Sequence, residues 1–95
     1  MKIEIGQRLE FEVDREDILG TSNRSIIATW YHLGTPIFVE LAVGKTLMAE
    51  LSKLFKGNDR KTALVSISRV SKAKYIVEPT MVLINSQRKN ITPLK

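Results

Sequence analysis

The chain has 95 residues, of which 43% are hydrophobic and 26% charged, and its formal net charge at pH 7 is +5. This length gives room for one small folded domain, and this composition is ordinary for a globular one. The absence of cysteine excludes a disulfide framework, a zinc ribbon and a thiol nucleophile. Since His32 is the one histidine, we also expect no His-based metal site and no Ser-His-Asp triad.

The start of the chain bears on where the protein works. Residues 1–4 are already charged and lack the apolar core of a signal peptide. No run elsewhere approaches the ~18 apolar residues that a membrane span needs. We therefore expect a cytoplasmic protein without a membrane partner.

Positive charge is concentrated in the second half of the chain. Residues 1–52 hold five basic and eight acidic side chains, whereas residues 53–95 hold ten basic and two acidic ones. A domain that separates its charge in this way often binds a polyanion, and nucleic acid is the commonest such partner. Lysines that only keep the surface soluble are the alternative explanation.

The first predicted element is a long strand over residues 3–13. Apolar residues alternate with polar ones there and would form one buried face: Ile3, Ile5, Leu9, Phe11 and Val13. Gly6, on the polar face, predicts a bulge or sharp bend. Residues 14–23 have a loop composition, in which residues 16–19 fit one short turn of helix.

Two further strands are predicted as a hairpin. Residues 24–33 are rich in β-branched and aromatic side chains, and residues 37–42 alternate again. The sequence 34–36, Gly-Thr-Pro, predicts the turn between them. In the third strand one face holds three aliphatic residues, so Phe38 and Glu40 lie on the opposite face.

The period then changes to that of a helix over residues 45–56. Five apolar residues fall on one helical stripe: Leu47, Met48, Leu51, Leu54 and Phe55. Gly57 and Asn58 are typical of a helix C-terminus. Strands follow at residues 62–70 and 74–84, the last one bent at Pro79. Residues 85–95 lack periodicity, which predicts one domain over 1–84 and a basic C-terminal tail.

The element order resembles that of the OB-fold. Three strands, one helix and two strands, with a long glycine-containing first strand, match this five-stranded Greek-key barrel in topology and length over residues 3–84. The expected fold class is therefore mainly β: an OB-like barrel with one α-helix between strands 3 and 4. An SH3-like barrel and an α+β sheet with one helix across its face are the alternatives.

Two segments resemble catalytic or metal-binding motifs but lack residues that those motifs require. Gly44-Lys45-Thr46 ends like a P-loop, but Val39 occupies the position of the first glycine. The acidic residues between Glu10 and Asp17 do not have the spacing of an EF-hand loop. We therefore expect a protein that is not an enzyme and has no catalytic residues, cofactor or metal.

A resemblance to OB-folds implies a binding face on strands 2 and 3, framed by the loops between strands 1 and 2 and between strands 4 and 5. Single-stranded nucleic acid needs aromatic side chains that stack on bases and cations that neutralise phosphates. The stacking residues predicted here are Trp30 or Tyr31, Phe38 and Tyr75. The predicted cations are Arg60, Lys61, Arg69, Lys72 and Lys74.

The expected function is non-enzymatic, sequence-independent binding of single-stranded nucleic acid, with DNA favoured over RNA. A single domain of this kind binds weakly, which favours a homodimer or a larger protein complex. The alternative function is a structural or interaction subunit of a phage, plasmid or secretion assembly. In that case Phe38 and the other aromatic residues are anchors of a protein interface.

Overall fold

A computed structural model describes residues 1–20 and 24–80. Its strands are β1 (Arg8–Asp14), β2 (Ser25–His32), β3 (Thr35–Ala42), β4 (Thr62–Ser71) and β5 (Lys74–Pro79). Its helices are α1 (Arg15–Leu19) and α2 (Gly44–Ser52), and α2 continues into a 3₁₀ turn at Lys53–Phe55. The short helix predicted at 16–19 and the helix predicted at 45–56 are both confirmed. None of the helices in this part of the chain has the length and apolar composition needed to span a bilayer.

The strands form one open, antiparallel sheet in the order β3-β2-β1-β4-β5. The fold is thus mainly β with a helix between the third and fourth strands, as the sequence predicts. Within the described residues β3 and β5 are the two edges, and no ladder joins them. The residues predicted to extend strand 5, at 81–84, and the predicted tail at 85–95 lie outside the described residues.

One face of the sheet, here called the inner face, forms the core. At its centre Phe11 of β1 lies opposite Trp30 of β2 and Val65 of β4. Leu47, Leu51 and Phe55, from α2 and its 3₁₀ turn, are buried in the same cluster, each at most 1% exposed. The helical stripe predicted from the sequence is therefore the face that packs on the sheet.

The predicted first strand begins too early. Residues 4–7 form a turn in which the Gln7 N–H donates to the Glu4 carbonyl at 3.0 Å, and Gly6 takes a positive φ of 91°. Such a φ is strained for any residue with a Cβ, so glycine allows the chain to turn here. The turn breaks the alternation: Ile3 is 2% exposed, whereas Ile5, predicted to be buried, is 59% exposed.

Residues 1–7 instead form an N-terminal strap that joins two distant parts of the sheet. At one end the Gly6 N–H donates to the Arg69 carbonyl of β4 at 2.8 Å. At the other end Met1 lies beside β3, where its amino group donates to the Glu40 carbonyl at 2.7 Å. Its carbonyl accepts from the Ala42 N–H at 2.8 Å. The strap thus crosses between β4 and the β3 edge, and the side chain of its residue Ile3 is buried in the core.

The turn of the β2–β3 hairpin also differs from the prediction. His32 pairs with Thr35, which leaves Leu33 and Gly34 as a two-residue turn. Both have positive φ, 53° and 81°, as a type I′ turn requires. Pro36, predicted to be part of the turn, is a residue of β3. A two-residue turn of this kind matches the natural twist of the paired strands, which explains why it replaces the longer loop.

Candidate functional site

The candidate site lies on the face of the sheet opposite the helices, here called the outer face. On β2 and β3 the core residues alternate with outward ones, as strand geometry requires. The outward residues of these two strands are Ser25, Ile27, Thr29, Tyr31, Pro36, Phe38, Glu40 and Ala42. Two of them are apolar and highly exposed: Phe38 at 84% and Ile27 at 56%.

Phe38 occupies the edge strand and lies outward, as the alternation of the third strand predicts. It pairs with Thr29, which in turn pairs with Glu12 of β1. Ile27 pairs with Glu40 on the same face. An aromatic side chain this exposed contributes little to the core, so the fold itself does not account for it.

Two carboxylates lie near this apolar pair: Glu40 is opposite Ile27, and Glu12 lies across Thr29 from Phe38. Glu40 is held by the Ser25 hydroxyl, which donates to its Oε2 at 2.8 Å. Glu12 lies on β1 beside Tyr31, and the pKa of the Tyr31 phenol is raised, first by burial and second by the negative charge of Glu12. Strand alternation places Glu10 on the same face. Around Phe38 and Ile27 the outer face is thus apolar and acidic, while the same alternation places Arg8 on this face at the start of β1.

The structure separates two aromatic residues that were alternatives in the prediction. Trp30 lies on the inner face, half-buried against the core. Its ring stacks on that of His32, with centroids 4.7 Å apart and planes 28° apart. Tyr31, between them, lies on the outer face with Phe38. Tyr31 is therefore the aromatic residue that strand 2 presents on the outer face.

Four other predicted contact residues lie together at the β4–β5 hairpin. Arg69 donates to the carbonyls of Ile3 at 3.0 Å and Lys72 at 2.8 Å, and its guanidinium lies 5.5 Å from the centre of the Tyr75 ring. These contacts give Arg69 a structural role. Lys72 and Lys74 are exposed, and Tyr75 is half-buried.

The remaining two predicted cations, Arg60 and Lys61, are exposed in the loop that precedes β4. Since β4 has ten residues, this loop and the β4–β5 hairpin are separated by roughly 30 Å of strand. Phe38 and Tyr75 are likewise on the two opposite edge strands. The nine predicted residues therefore occupy four places, since Trp30 lies on the inner face, and the structure does not gather them into one basic, aromatic groove.

Sequence reasoning missed Arg15, which holds the loop before β4. Its Nη1 donates to the carbonyls of Phe55, Asn58 and Arg60 at 3.1, 2.9 and 3.3 Å. A cleft of about 550 Å³ beside it mixes acidic and basic side chains: Asp14, Arg15, Glu16, Asn58, Asp59, Lys61 and Thr62. Among the residues that the structure describes, no group of three or more His, Cys, Asp or Glu is placed to hold a metal ion.

Comparison with known proteins adds no family to these observations. A scan against protein-family models, a search of curated proteins and a search of solved structures each find no match for this chain. The outer face of β2 and β3 combines two exposed apolar side chains, Phe38 and Ile27, with the carboxylate of Glu40.

Proposed function

We propose that this protein is a non-enzymatic interaction module that binds another protein through the outer face of β2 and β3. The observation that supports this most strongly is Phe38, 84% exposed beside the exposed Ile27. Burying a phenylalanine side chain stabilises a complex by roughly 1.5–3 kcal/mol. Aromatic residues are enriched in protein interfaces, and a few such anchors carry most of the binding energy.

The charge around Phe38 supports a protein partner over a nucleic acid at this face. Glu12 and Glu40 flank the apolar residues, and carboxylates repel a phosphate backbone. The same carboxylates attract lysine and arginine side chains, which gives the interface its orientation and partner selectivity. Such a module is a subunit or adaptor of a larger assembly, as the alternative function predicts.

Single-stranded nucleic acid binding is the second candidate, and one observation favours it. At the β4–β5 hairpin, Lys72 and Lys74 are exposed beside Tyr75, and Arg8 lies on the neighbouring β1 opposite Ser68. This end of the sheet has the cations that such binding requires, whereas the Tyr75 ring is half-buried on the inner face under the Arg69 guanidinium. It would attract phosphate in a salt-dependent manner, on a surface separate from Phe38.

We also propose that the sheet is the open form of an OB-like barrel. Its four ladders, together with the position of α2 between β3 and β4, are compatible with that topology. Closure would require contact between the β3 side and the β4–β5 side of the sheet. The N-terminal strap, bonded to Glu40 at one end and to Arg69 at the other, links these two sides.

A pair of exposed-residue variants tests the protein-binding proposal. The wild-type chain, Phe38→Thr and Leu19→Gln are each used to capture proteins from the cells that produce the chain, and the captured proteins are identified by quantitative mass spectrometry. Leu19 is the matched control because it is apolar and 48% exposed but lies on α1. We expect specific proteins to be lost with Phe38→Thr and kept with Leu19→Gln. Equal capture by all three chains would overturn the proposal.

The second candidate is tested with labelled oligothymidylate in fluorescence anisotropy at low and moderate salt. Binding that is weakened by Lys72→Glu with Lys74→Glu, but not by Phe38→Thr, would support a separate nucleic-acid surface. Binding that depends on Phe38 would instead favour the stacking face predicted from the sequence. A flat titration at low salt would remove nucleic acid from the functions of this chain.

A further inference from the structure

The free edge of β3 has a definite pattern of backbone groups. The Glu40 carbonyl and the Ala42 N–H both bond to Met1, so the backbone groups of these residues point away from β2. The backbone N–H and carbonyl groups of successive residues in a strand point to opposite sides of it. The β2–β3 register is continuous from Ser25–Ala42 to His32–Thr35. The backbone N–H and carbonyl of Phe38 and the carbonyl of Pro36 therefore also point away from β2, at the free edge of the sheet.

Four of these outward groups lie before the position of Met1: the Pro36 carbonyl, the Phe38 N–H, the Phe38 carbonyl and the Glu40 N–H. Within residues 1–20 and 24–80 no other segment bonds to them. Pro36 has no N–H, and proline is accommodated on an edge strand where its nitrogen faces outward. The edge is thus able to receive one short additional strand between Pro36 and Glu40.

We infer that the partner adds an extended segment to the β3 edge, antiparallel to β3, and that this segment alternates basic or aromatic with aliphatic residues. This inference rests on the proposed function and specifies how the partner binds. In strand addition the main-chain hydrogen bonds supply affinity, and the alternate side chains supply specificity. The exposed Phe38 is then an anchor beside the added strand.

The side chains that border this edge specify the chemistry of the added segment. Residues of the partner on the outer side lie next to Phe38 and Glu40, which favours an aromatic residue flanked by lysine or arginine. Residues on the inner side lie next to Ile37, 38% exposed, and the half-buried Val39. These neighbours favour aliphatic side chains such as valine.

A second copy of this chain is the competing occupant, and its geometry is poor. In a two-fold antiparallel pairing centred on Phe38, Thr35 of the second copy would lie opposite Leu41. Met1 already occupies that position through its bonds to Glu40 and Ala42. A free extended segment can end before it reaches Met1, whereas the hairpin of a second copy cannot.

The test uses the full chain and a fluorescein-labelled peptide of alternating valine and lysine with one central phenylalanine. In antiparallel pairing the lysines and the phenylalanine share the outer side with Phe38, and their N–H groups point toward β3. N-methylation of these residues should lower the affinity at least about tenfold, because it removes hydrogen bonds and adds bulk at the edge. N-methylation of the valines, whose N–H groups point away, should leave the affinity within about threefold.

Two further measurements test the charge preference of the β3 edge and the self-association of the chain. A peptide with glutamate in place of lysine should bind wild type more weakly than the lysine peptide, and Glu40→Lys should reverse this order. Absence of binding by the lysine peptide, or equal binding of both methylated forms, overturns the strand-addition inference. A dimer of the chain itself in light scattering, dissociated by Phe38→Thr, overturns it by identifying a second copy as occupant.

These outcomes are distinguishable from failure of the proposed function. If both methylated peptides bind equally but Phe38→Thr still abolishes capture of a cellular protein, the outer face binds a partner without strand addition. If Phe38→Thr changes no protein capture, the proposed function itself is wrong. Thermal unfolding of each variant shows whether the chain remains folded, which we expect because the Phe38 side chain is 84% exposed.

Discussion

The guanidinium of Arg69 donates to the carbonyl of Ile3 at 3.0 Å, across 66 positions of sequence. The same side chain donates to the Lys72 carbonyl at 2.8 Å and lies over the Tyr75 ring. One residue therefore joins the N-terminal strap, the end of β4 and the start of β5. Its role in this structure is to hold these segments together.

We predict that Arg69→Met lowers the free energy of unfolding by about 1.5–3 kcal/mol, because two charge-assisted hydrogen bonds to backbone carbonyls are lost. The measurement is urea unfolding followed by circular dichroism. Lys72→Met is the matched control, since Lys72 is exposed and should change stability by no more than about 0.5 kcal/mol. Equal effects of the two substitutions would contradict the structural role of Arg69.

The buried end of the strap gives a second prediction. Ile3 is 2% exposed and Ile5 is 59% exposed, although they are two positions apart. Ile3→Ala should cost about 2–4 kcal/mol of stability because it leaves a cavity in the core. Ile5→Ala, measured in the same thermal or urea unfolding, should cost well under half as much. A larger loss for Ile5→Ala would favour the unbroken strand predicted from the sequence.

The β2–β3 turn gives a prediction of increased stability. Leu33 has a φ of 53° and is 91% exposed, so it bears backbone strain and gains little from burial. Leu33→Asn should raise the free energy of unfolding by about 1 kcal/mol, because asparagine tolerates this conformation and Asn-Gly is the preferred type I′ sequence. Leu33→Ala keeps the strained Cβ and should give no such gain. A stabilisation by alanine equal to that by asparagine would argue against strain as the cause.

Tyr31 gives a prediction about pH. The pKa of its phenol is raised by burial and, second, by Glu12. Below about pH 10 the phenol is neutral in both folded and unfolded chains, so its contribution to stability is fully present. As the pH rises through the raised pKa, the unfolded chain ionises first and stability falls.

This shift is measured by phenolate absorbance in a Tyr75→Phe background, where Tyr31 is the one remaining tyrosine. Adding Glu12→Gln should lower the pKa of Tyr31 part of the way toward its ordinary value, because burial remains. Asp14→Asn is the control substitution on the same strand. An unchanged midpoint with Glu12→Gln would show that Glu12 does not act on the outer face near Tyr31.

Local sequence patterns predicted much of this fold. The alternation of β3 and β4 and the helical stripe of α2 depend on which side chains face the core, and such periodicity is visible in sequence. The strap was missed because its bonds from Met1 to Glu40 and from Gly6 to Arg69 join distant residues. The hairpin turn was misplaced because glycine and proline signals outweighed the exposed Leu33, whose positive φ no propensity predicts.

The candidate site was predictable only in part. The outward orientation of Phe38 follows from the phase of one strand, so the sequence predicted it. The acidic surroundings do not follow from one strand, because Glu12 and Phe38 lie on β1 and β3, on either side of Thr29 of β2. The excess of positive charge in the second half of the chain favoured a polyanionic partner. The side chains of Glu12 and Glu40 near Phe38 are instead negative.

The proposed binding surface is the outer face around Phe38, and its proposed partner is a protein. The most direct measurement places a photo-crosslinking phenylalanine analogue at position 38 of the full chain, in the cells that produce it, with position 19 as the control. We expect a discrete protein adduct from position 38 that is absent from position 19 and is weakened by Glu12→Lys with Glu40→Lys. A nucleic-acid adduct at position 38, or equal protein adducts at both positions, would contradict this account.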